Sequence, residues 1–340
     1  MKIAIYGAGS IGTILGAYLS KGGVEVDLFN RNATHIHGLK ENGAHVIGKV
    51  DFTQKVRAFL PREIKDQYDI IFLMTKQLEN KKVVTDLLPF LKDTGAVCTM
   101  QNGLPEQAIS EIIGVKRTYG CTIGWGATLI GEGVCELTSE PSYEAMSFSL
   151  GTIDGRKDEM LLKIENILSK MGHVQIEDNF IGARWVKLLI NCAFSGLSAV
   201  LGCTFGDVAK NKTSRLIAQR IIKECFDLAK KANIKIEPIQ GKDIVKLLDY
   251  NNKLKQKISF LIIPIAIKKH SLIKSSMLQD LEKGKSCEID AINGAVSEFG
   301  RNIGFETPYN DLVVQIIKKI ESGKLKSSWE NLSFFEDNLY

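Results

Sequence analysis

Near its start the chain reads Lys2-Ile-Ala-Ile-Tyr-Gly7-Ala8-Gly9-Ser10-Ile11-Gly12. An apolar run passes here into Gly-x-Gly-x-x-Gly, which opens a helical pattern, and a second apolar run follows at 24–29. A glycine triplet alone indicates little, but a strand before it and a helix after it are typical of a dinucleotide-binding turn. Gly7 is expected to permit the tight turn, Gly9 the close approach of a pyrophosphate, and Gly12 close packing of the helix on the strand.

The same turn predicts an anion site. Unpaired N–H groups and the helix dipole at a helix N-terminus both favour phosphate. A glycine-rich turn that binds nothing is the less favoured alternative in this context. The predicted cofactor-binding residues are Gly7, Ala8, Gly9, Ser10, Ile11 and Gly12.

The end of the second strand indicates which dinucleotide is bound. An acid at this place accepts the ribose hydroxyl of NAD, whereas an arginine suits the 2′-phosphate of NADP. Here the strand ends in Asn30-Arg31-Asn32, and Asp27 lies inside it between apolar neighbours. A guanidinium matches phosphate geometry, so the pattern favours NADP(H). The alternative for Arg31 is an ordinary solvated loop cation.

Composition limits the class of protein. A chain of 340 residues favours two domains, and 44% hydrophobic with 24% charged residues is ordinary for a soluble globular protein. The net charge of +5 comes from scattered lysines, which does not indicate nucleic-acid binding. The longest apolar run, 260–267, is too short to cross a bilayer, and neither a membrane span nor a secretory leader is expected.

Cysteine and histidine spacing indicates a cytoplasmic protein without a metal. The 7 cysteines form no Cys-x-x-Cys pair, and the 5 histidines complete no metal-ligand pattern. Free cysteines in apolar runs behave as small hydrophobic residues. Apolar helices in the C-terminal half are compatible with a homodimer.

Periodicity predicts an α/β protein, with a Rossmann-type doubly wound parallel sheet over 1–178 and an all-α domain over 179–340. Further strands and a helix at 157–171 are expected within 126–176. An active site is expected in the cleft between the domains, at the carboxyl ends of the strands. The predicted strands are 2–6, 24–29, 69–74, 95–100 and 118–123; the predicted helices are 10–22, 79–92, 104–113, 180–201, 206–232, 241–256, 289–303 and 309–321.

The predicted helix over 183–201 is apolar nearly all round except for one narrow polar stripe. Lys187 and Asn191 stand one turn apart on that stripe and could both face one carbonyl group. A lysine can donate a proton to a carbonyl oxygen as hydride reaches the carbon, while an asparagine holds that oxygen. A solvent-facing lysine beside a structural asparagine is the open alternative. The members of the stripe are Arg184, Lys187, Asn191, Ser195 and Ser198.

Other polar residues stand where a ligand could meet them. Asn102 and Lys76 each follow an apolar strand, where an open sheet presents its binding residues, although both are also ordinary loop residues. Glu288 stands in what is predicted to be the first turn of a helix, where an acid also stabilises the dipole. Ser276 could bind a carboxylate or simply cap a helix.

At these residues the chain resembles the ketopantoate reductase (2-dehydropantoate 2-reductase) family over essentially its full length. The resemblance implies NADPH over the glycine turn, its 2′-phosphate near Arg31, with Lys76 and Asn102 beside the cofactor. The motifs that carry it, in the family's order, are the turn 7–12, Arg31, Lys76, Asn102, Lys187-x-x-x-Asn191, Ser275-Ser276-Met-Leu-Gln-Asp, Glu288-Ile-Asp and Asn293-Gly294.

The resemblance also implies a division of labour around a small 2-oxo acid. Lys187 is the expected general acid, and Glu288 the second catalytic residue, in contact with the hydroxyl network and the cofactor. A Glu⁻ near a Lys⁺ keeps that lysine protonated at neutral pH. The expected substrate-binding residues are Asn102, Asn191, Ser195 and Ser276, with Ser276 at the substrate carboxylate.

Two departures leave the substrate open. Ser195 stands where the family usually has a second asparagine, and the loop 131–140 lacks the Gly- and His-bearing pattern associated with the family. A paralogue that reduces another 2-oxo acid is therefore an alternative. So are a non-catalytic NADP(H)-binding regulator and a β-hydroxyacid-type dehydrogenase, although nothing in 275–294 suggests the last of these.

Overall fold

The structure is a computed structural model that describes residues 1–238 and 243–338. The chain forms two compact units. The first consists of 1–101 together with 105–180, and the second of 102–104 together with the chain from 181 onward.

The first unit alternates strands and helices, as the sequence predicts. The strands are β1 (Ile3–Tyr6), β2 (Val26–Phe29), β3 (Ala44–Gly48), β4 (Phe52–Gln54), β5 (Arg57–Phe59), β6 (Tyr68–Leu73), β7 (Leu91–Thr99), β8 (Thr118–Ile123), β9 (Ala127–Gly131), β10 (Val134–Leu137), β11 (Phe148–Gly151) and β12 (Val174–Ile176). The helices are α1 (Ser10–Lys21), α2 (Ala33–Asn42), α3 (Asn80–Leu87), α4 (Pro105–Ile113) and α5 (Glu159–Leu168).

An eight-stranded sheet in the order β12-β11-β8-β7-β6-β1-β2-β5 forms the centre of this unit. From β8 to β5 all neighbours run parallel, and β6 is fully buried along Ile70–Leu73, as a strand covered on both faces must be. The α/β, Rossmann-type fold class is thereby confirmed.

The sheet departs from a purely parallel one at one edge. β11 pairs with β8 in the antiparallel sense, and β12 runs parallel to β11. Parallel neighbours need a crossover connection, and helix α5 supplies one between β11 and β12. No helix lies between β8 and β11, which pair antiparallel. The sequence analysis missed α2, β3, β4 and β5, whereas β9 and β10 lie where further strands were expected; β3, β4, β9 and β10 form a second sheet, ordered β4-β3-β10-β9. β4 has 3 residues and no buried position, so its apolar pattern is weak.

The second unit is helical, and within 181–238 and 243–338 it contains no strand. Its elements are α6 (Phe180–Ile190), a π-helical turn (Asn191–Ser195), α7 (Gly196–Leu201), α8 (Phe205–Lys210), α9 (Lys212–Lys231), α10 (Ile244–Leu248), α11 (Lys253–Ala266), α12 (Ser276–Glu282), α13 (Asn293–Asn302) and α14 (Pro308–Glu321).

Capping residues explain where the predicted helices of this unit were wrong. The helix predicted over 206–232 breaks because Asn211 is extended and its side chain accepts hydrogen bonds from the first amides of α9. The helix predicted over 241–256 is short α10 and the start of α11, with Asn252 capping the latter; residues 241 and 242 lie outside the described part of the chain. Helix α12 was not predicted.

One continuous helical segment, Phe180–Leu201, has the length and hydropathy of a membrane span within the described residues. Of its most apolar 18-residue window, 83% is buried inside the protein. It belongs to the core of the second unit, where its buried side chains, such as Leu189 and Leu197, cluster with buried residues of other helices, such as Ile221.

Candidate active site

The glycine turn follows β1 and is held by the neighbouring strand. The amides of Gly7 and Ala8 both donate to the carbonyl of Phe29, at 2.9 and 2.8 Å. Gly7 has a φ of +105°, and a Cβ there would lie 2.4 Å from the amide nitrogen of Thr75. A Cβ on Gly12 would lie 3.0 Å from the carbonyl oxygen of Gly7. The fold itself therefore requires glycine at position 7, whereas a side chain at position 12 would have to displace a neighbouring atom by a few tenths of an ångström.

Gly9 differs from both. Its φ is −79°, which any residue adopts, and a Cβ there would approach no atom of the described residues closer than 4.0 Å. The fold does not need glycine at this position, so the open space above the first amides of α1 fits a group from outside the chain. The turn thus has the free space and the backbone N–H donors that a dinucleotide pyrophosphate needs.

Beneath the turn lies a buried histidine. The Thr13 hydroxyl donates to the Ala8 carbonyl at 3.2 Å and lies 2.9 Å from His35 Nε2, while the amide of Gly133 donates to His35 Nδ1 at 3.2 Å. Because the Thr13 hydroxyl donates to the Ala8 carbonyl, it accepts a hydrogen bond from His35 Nε2. The His35 ring is therefore neutral, with its proton on Nε2 and with Nδ1 as the acceptor for the Gly133 amide. Burial lowers the pKa of His35.

At the end of β2 the acid and the arginine have different environments. Asp27 is buried, with Arg57 Nε 2.7 Å from one carboxylate oxygen and the Tyr68 hydroxyl donating to the other at 2.8 Å. It is therefore engaged inside the unit. Arg31 is exposed; its charge acts on Tyr6, lowering the pKa of a phenol that burial raises more. Among the described residues Arg31 makes no hydrogen bond or ion pair.

Lys76 and Asn102 follow the carboxyl ends of β6 and β7, which are adjacent strands. Lys76 is exposed and Asn102 half-buried. A residue given no role from the sequence joins these loops: the Gln101 side chain donates to the Thr75 carbonyl at 2.8 Å and to Asn80 Oδ1 at 2.9 Å. In the sequence, only its position directly before Asn102 indicates that Gln101 belongs to the site, because a single buried glutamine produces no periodic pattern.

The helix that carries Lys187 is interrupted at Asn191. In an α-helix the Gly196 amide would donate to the Cys192 carbonyl; here it donates to the Asn191 carbonyl, one residue further back. This π turn inserts a residue into the helical repeat. Turns of this kind occur often at functional sites.

The inserted residue breaks the predicted polar stripe. Lys187 and Asn191 are half-buried side chains, but Arg184, Ser195 and Ser198 are buried. Ser198 donates to the Cys203 carbonyl at 2.6 Å, and Ser195 donates to Asn191 Oδ1 at 3.4 Å. The stripe on the helix surface is therefore the Lys187–Asn191 pair, with Ser195 behind Asn191.

The segment 275–294 corrects two expectations. Ser275, not Ser276, caps α12, accepting a hydrogen bond from the Leu278 amide at 3.0 Å, and Ser276 is left as an exposed hydroxyl. Glu288 is 8% exposed and precedes α13, which begins only at Asn293. Tight turns, such as the one in which the Ala291 amide donates to the Glu288 carbonyl, replace the predicted first helical turn. The dipole explanation for Glu288 therefore does not apply.

These features define a class of enzyme. A glycine turn at the carboxyl ends of parallel strands and a helix that presents a lysine with an asparagine are the parts of an NAD(P)-dependent oxidoreductase. Two family models match the chain, "Ketopantoate reductase PanE/ApbA" over residues 3–148 and "Ketopantoate reductase PanE/ApbA C terminal" over residues 179–321. The chain belongs to the ketopantoate reductase family.

Individual relatives agree with this. The 2-dehydropantoate 2-reductase of Lactococcus lactis is 29% identical, covering 94% of this chain and 98% of its own, and that of Pyrococcus horikoshii is 27% identical over 95% and 98%. Among solved structures, a D-mandelate dehydrogenase bound to NADH and anilino(oxo)acetate has a TM-score of 0.81 at 26% identity, covering 95% of this chain and 99% of its own. A family ketopantoate reductase from Ralstonia eutropha JMP134 shares the fold, with a TM-score of 0.80 at 23% identity over 95% and 99%.

Proposed function

We propose that this protein reduces the 2-keto group of 2-dehydropantoate to pantoate with NADPH, in the biosynthesis of pantothenate. The observation that carries the proposal is the Lys187–Asn191 pair, half-buried on a helix that is otherwise almost wholly buried. A lysine and an asparagine one turn apart can protonate and hydrogen-bond the oxygen of a single carbonyl group. A ketone oxygen that gains charge during reduction is such an oxygen.

The helix residues Lys187, Asn191 and Ser195 act on the keto group of the substrate. A bound nicotinamide supplies the hydride to the keto carbon. Lys187 donates the proton that the keto oxygen gains, so the product is a neutral hydroxyl group. Asn191 donates a hydrogen bond to the same oxygen, and Ser195 orients Asn191 through its 3.4 Å contact with Oδ1.

Other residues bind and position the substrate and the lysine. Ser276 and Asn102 bind the substrate, the former at its carboxylate. Glu288 keeps Lys187 protonated and contacts the substrate hydroxyl and the cofactor. Removing Lys187 should therefore affect turnover, and removing Glu288 both turnover and substrate binding.

The turn 7–12 would hold the pyrophosphate, with Lys76, Asn102 and Glu288 also on the cofactor. The preference for NADPH is supported by the end of β2. Asp27 is held by Arg57 and Tyr68, whereas Arg31 is exposed and has no ion-pair partner among the described residues. The related D-mandelate dehydrogenase was solved with NADH, so both coenzymes belong in the assay.

The deciding assay follows NADPH oxidation at neutral pH with 2-dehydropantoate, pyruvate, 2-oxoisovalerate and 2-oxobutyrate. The proposal requires the highest kcat/KM with 2-dehydropantoate. Lys187→Ala is expected to lower kcat by about 10²- to 10⁴-fold with little change in KM, the usual size of a lost general acid. Wild-type turnover in Lys187→Ala would refute the mechanism.

Reduction of another 2-oxo acid is the second candidate. Ser195 is shorter than the asparagine usual in the family, so the residue that contacts Asn191 from behind offers one amide fewer. The likeness to D-mandelate dehydrogenase, at 26% identity, favours a bulkier 2-oxo acid such as phenylglyoxylate. A higher kcat/KM with phenylglyoxylate than with 2-dehydropantoate would establish this candidate.

The protein is proposed to act in the cytoplasm as a homodimer, with cofactor binding in residues 1–178 and catalysis in 179–340. All 7 cysteines are free and buried, as expected of a protein in a reducing compartment.

The proposed dimer surface is one apolar face of α11, which a second copy could cover. It carries Leu254, Leu261 and Ile265, which are 70%, 65% and 72% exposed. Light scattering would report a dimer, and Leu261→Lys would dissociate it.

A further inference from the structure

The π turn at 191–195 has an external support within the second unit. Because the Gly196 amide donates to Asn191, the Cys192 carbonyl loses its α-helical donor. That carbonyl accepts a hydrogen bond from Asn293 Nδ2 at 3.1 Å instead. Asn293 is fully buried, and a Cβ added at Gly196 would lie 2.8 Å from its Oδ1. The asparagine therefore fills the space beside the displaced helical turn.

Asn293 is itself held by a second buried asparagine. Its Nδ2 also donates to Asn310 Oδ1 at 2.9 Å, so both of its N–H bonds have acceptors. Asn310 lies in the first turn of α14 and is fully buried. This contact orients Asn293 with its amide nitrogen toward Cys192.

A carboxylate fixes the orientation of Asn310. Glu224 of α9 is 8% exposed and accepts hydrogen bonds from Asn310 Nδ2 at 2.7 Å, from the Asn310 amide at 3.0 Å and from the Tyr309 amide at 2.7 Å. A carboxylate accepts and cannot donate when ionised, so Asn310 must present its nitrogen to Glu224 and its oxygen to Asn293. Burial raises the pKa of Glu224 to about 7.

The geometry points to Glu224, Asn310 and Asn293 as a chain of positioning residues that maintains the π turn and thereby keeps Ser195 behind Asn191, where its hydroxyl orients the Asn191 amide. This inference rests on the proposed roles of Lys187 and Asn191. In its absence the turn would relax toward an α-helix, because the Cys192 carbonyl would recover its acceptor role within the helix. Ser195 would then return toward the surface that Lys187 and Asn191 share, and the Asn191 amide would lose its present orientation.

The test compares Asn293→Ala with Asn331→Ala. Asn331 is a matched control, since it is also buried and its Nδ2 also donates two hydrogen bonds, to the carbonyls of Val200 in α7 and Lys326. At pH 8, where Glu224 is ionised, Asn293→Ala is expected to lower kcat at least 30-fold with KM changed less than threefold. Asn331→Ala should lower kcat less than threefold, although both variants lose thermal stability.

A second measurement does not depend on turnover. Amide hydrogen exchange over 188–200 should accelerate at least tenfold in Asn293→Ala and in Glu224→Gln, whose amide lets Asn310 turn over, but not in Asn331→Ala. Equal effects of Asn293→Ala and Asn331→Ala on kcat and on exchange would overturn the inference. If the wild type reduces no 2-oxo acid, the proposed function fails, and the exchange data alone decide whether the chain holds the turn.

Discussion

The glycine turn at 7–12 and the π turn at 191–195 are two departures from regular structure with different origins. The first is dictated from inside, because Gly7 at φ +105° admits no side chain and Gly12 leaves little room for one against the Gly7 carbonyl. The second contains no residue that requires its shape. It is supported by Asn293, 101 positions away from the carbonyl that it binds. A local requirement leaves a motif in the sequence, whereas a remote one does not.

The strongest test of this comparison separates two glycines of the same motif. Gly7→Ala is expected to destabilise the protein by roughly 3 kcal/mol, from backbone strain and a Cβ that meets the Thr75 amide. Gly9→Ala is its matched control and should change the free energy of unfolding by less than about 1 kcal/mol. Urea denaturation measures both.

Substitution of Gly9, which should change stability little, is expected to have a large effect on NADPH binding. If the space above Gly9 belongs to a pyrophosphate, Gly9→Ala should weaken NADPH binding by about tenfold or more, which is about 1.4 kcal/mol. Fluorescence titration with NADPH measures this on the folded variant. Unchanged affinity would show that Gly9 is not the point of closest approach.

The arginine at the end of β2 tests side-chain recognition next to this backbone site. Arg31→Ala is expected to weaken NADPH binding about tenfold, the size of one charge-assisted contact, and to leave NADH binding unchanged. Arg62→Ala removes another exposed arginine of the same unit and should affect neither coenzyme. An equal loss for both coenzymes would remove Arg31 from the 2′-phosphate site.

The smallest expected effect comes from His35 beneath the glycine turn. Because its folded pKa lies below the ordinary 6.5, the unfolded chain binds more protons in this range, and stability falls as the pH drops below about 6.5. His35→Gln should flatten this part of the curve of melting temperature against pH, whereas exposed His37→Gln should not.

Prediction from sequence was most complete where a pattern lies along the chain. The five predicted strands of the large sheet are present as β1, β2, β6, β7 and β8. Prediction was least complete where polar capping residues and turns determine the first or last residue of a helix. Asn211 divides one predicted helix, and the turns after Glu288 delay α13 to Asn293. A capping residue looks the same in sequence whether it begins a helix or lies on its surface.

The site was predicted to the same uneven extent. Lys187 and Asn191 share a half-buried surface as the spacing suggests, but Ser195 and Ser198 left the stripe because of the inserted residue. Gln101, Glu224 and Asn310 received no role from the sequence. Their partners lie on other elements, so no local pattern marks them.

The sequence by itself determined the α/β class, the glycine turn and the helix that carries Lys187, because glycine conformation and apolar periodicity are properties of neighbouring residues. Only the tertiary structure decided the π turn, the burial of Ser195 and the orientation of Asn310. These depend on which N–H groups and carbonyls meet in the interior once the helices have packed. The orientation of the buried Asn310 side-chain amide is set by its hydrogen bond to the Glu224 carboxylate, which only accepts when ionised.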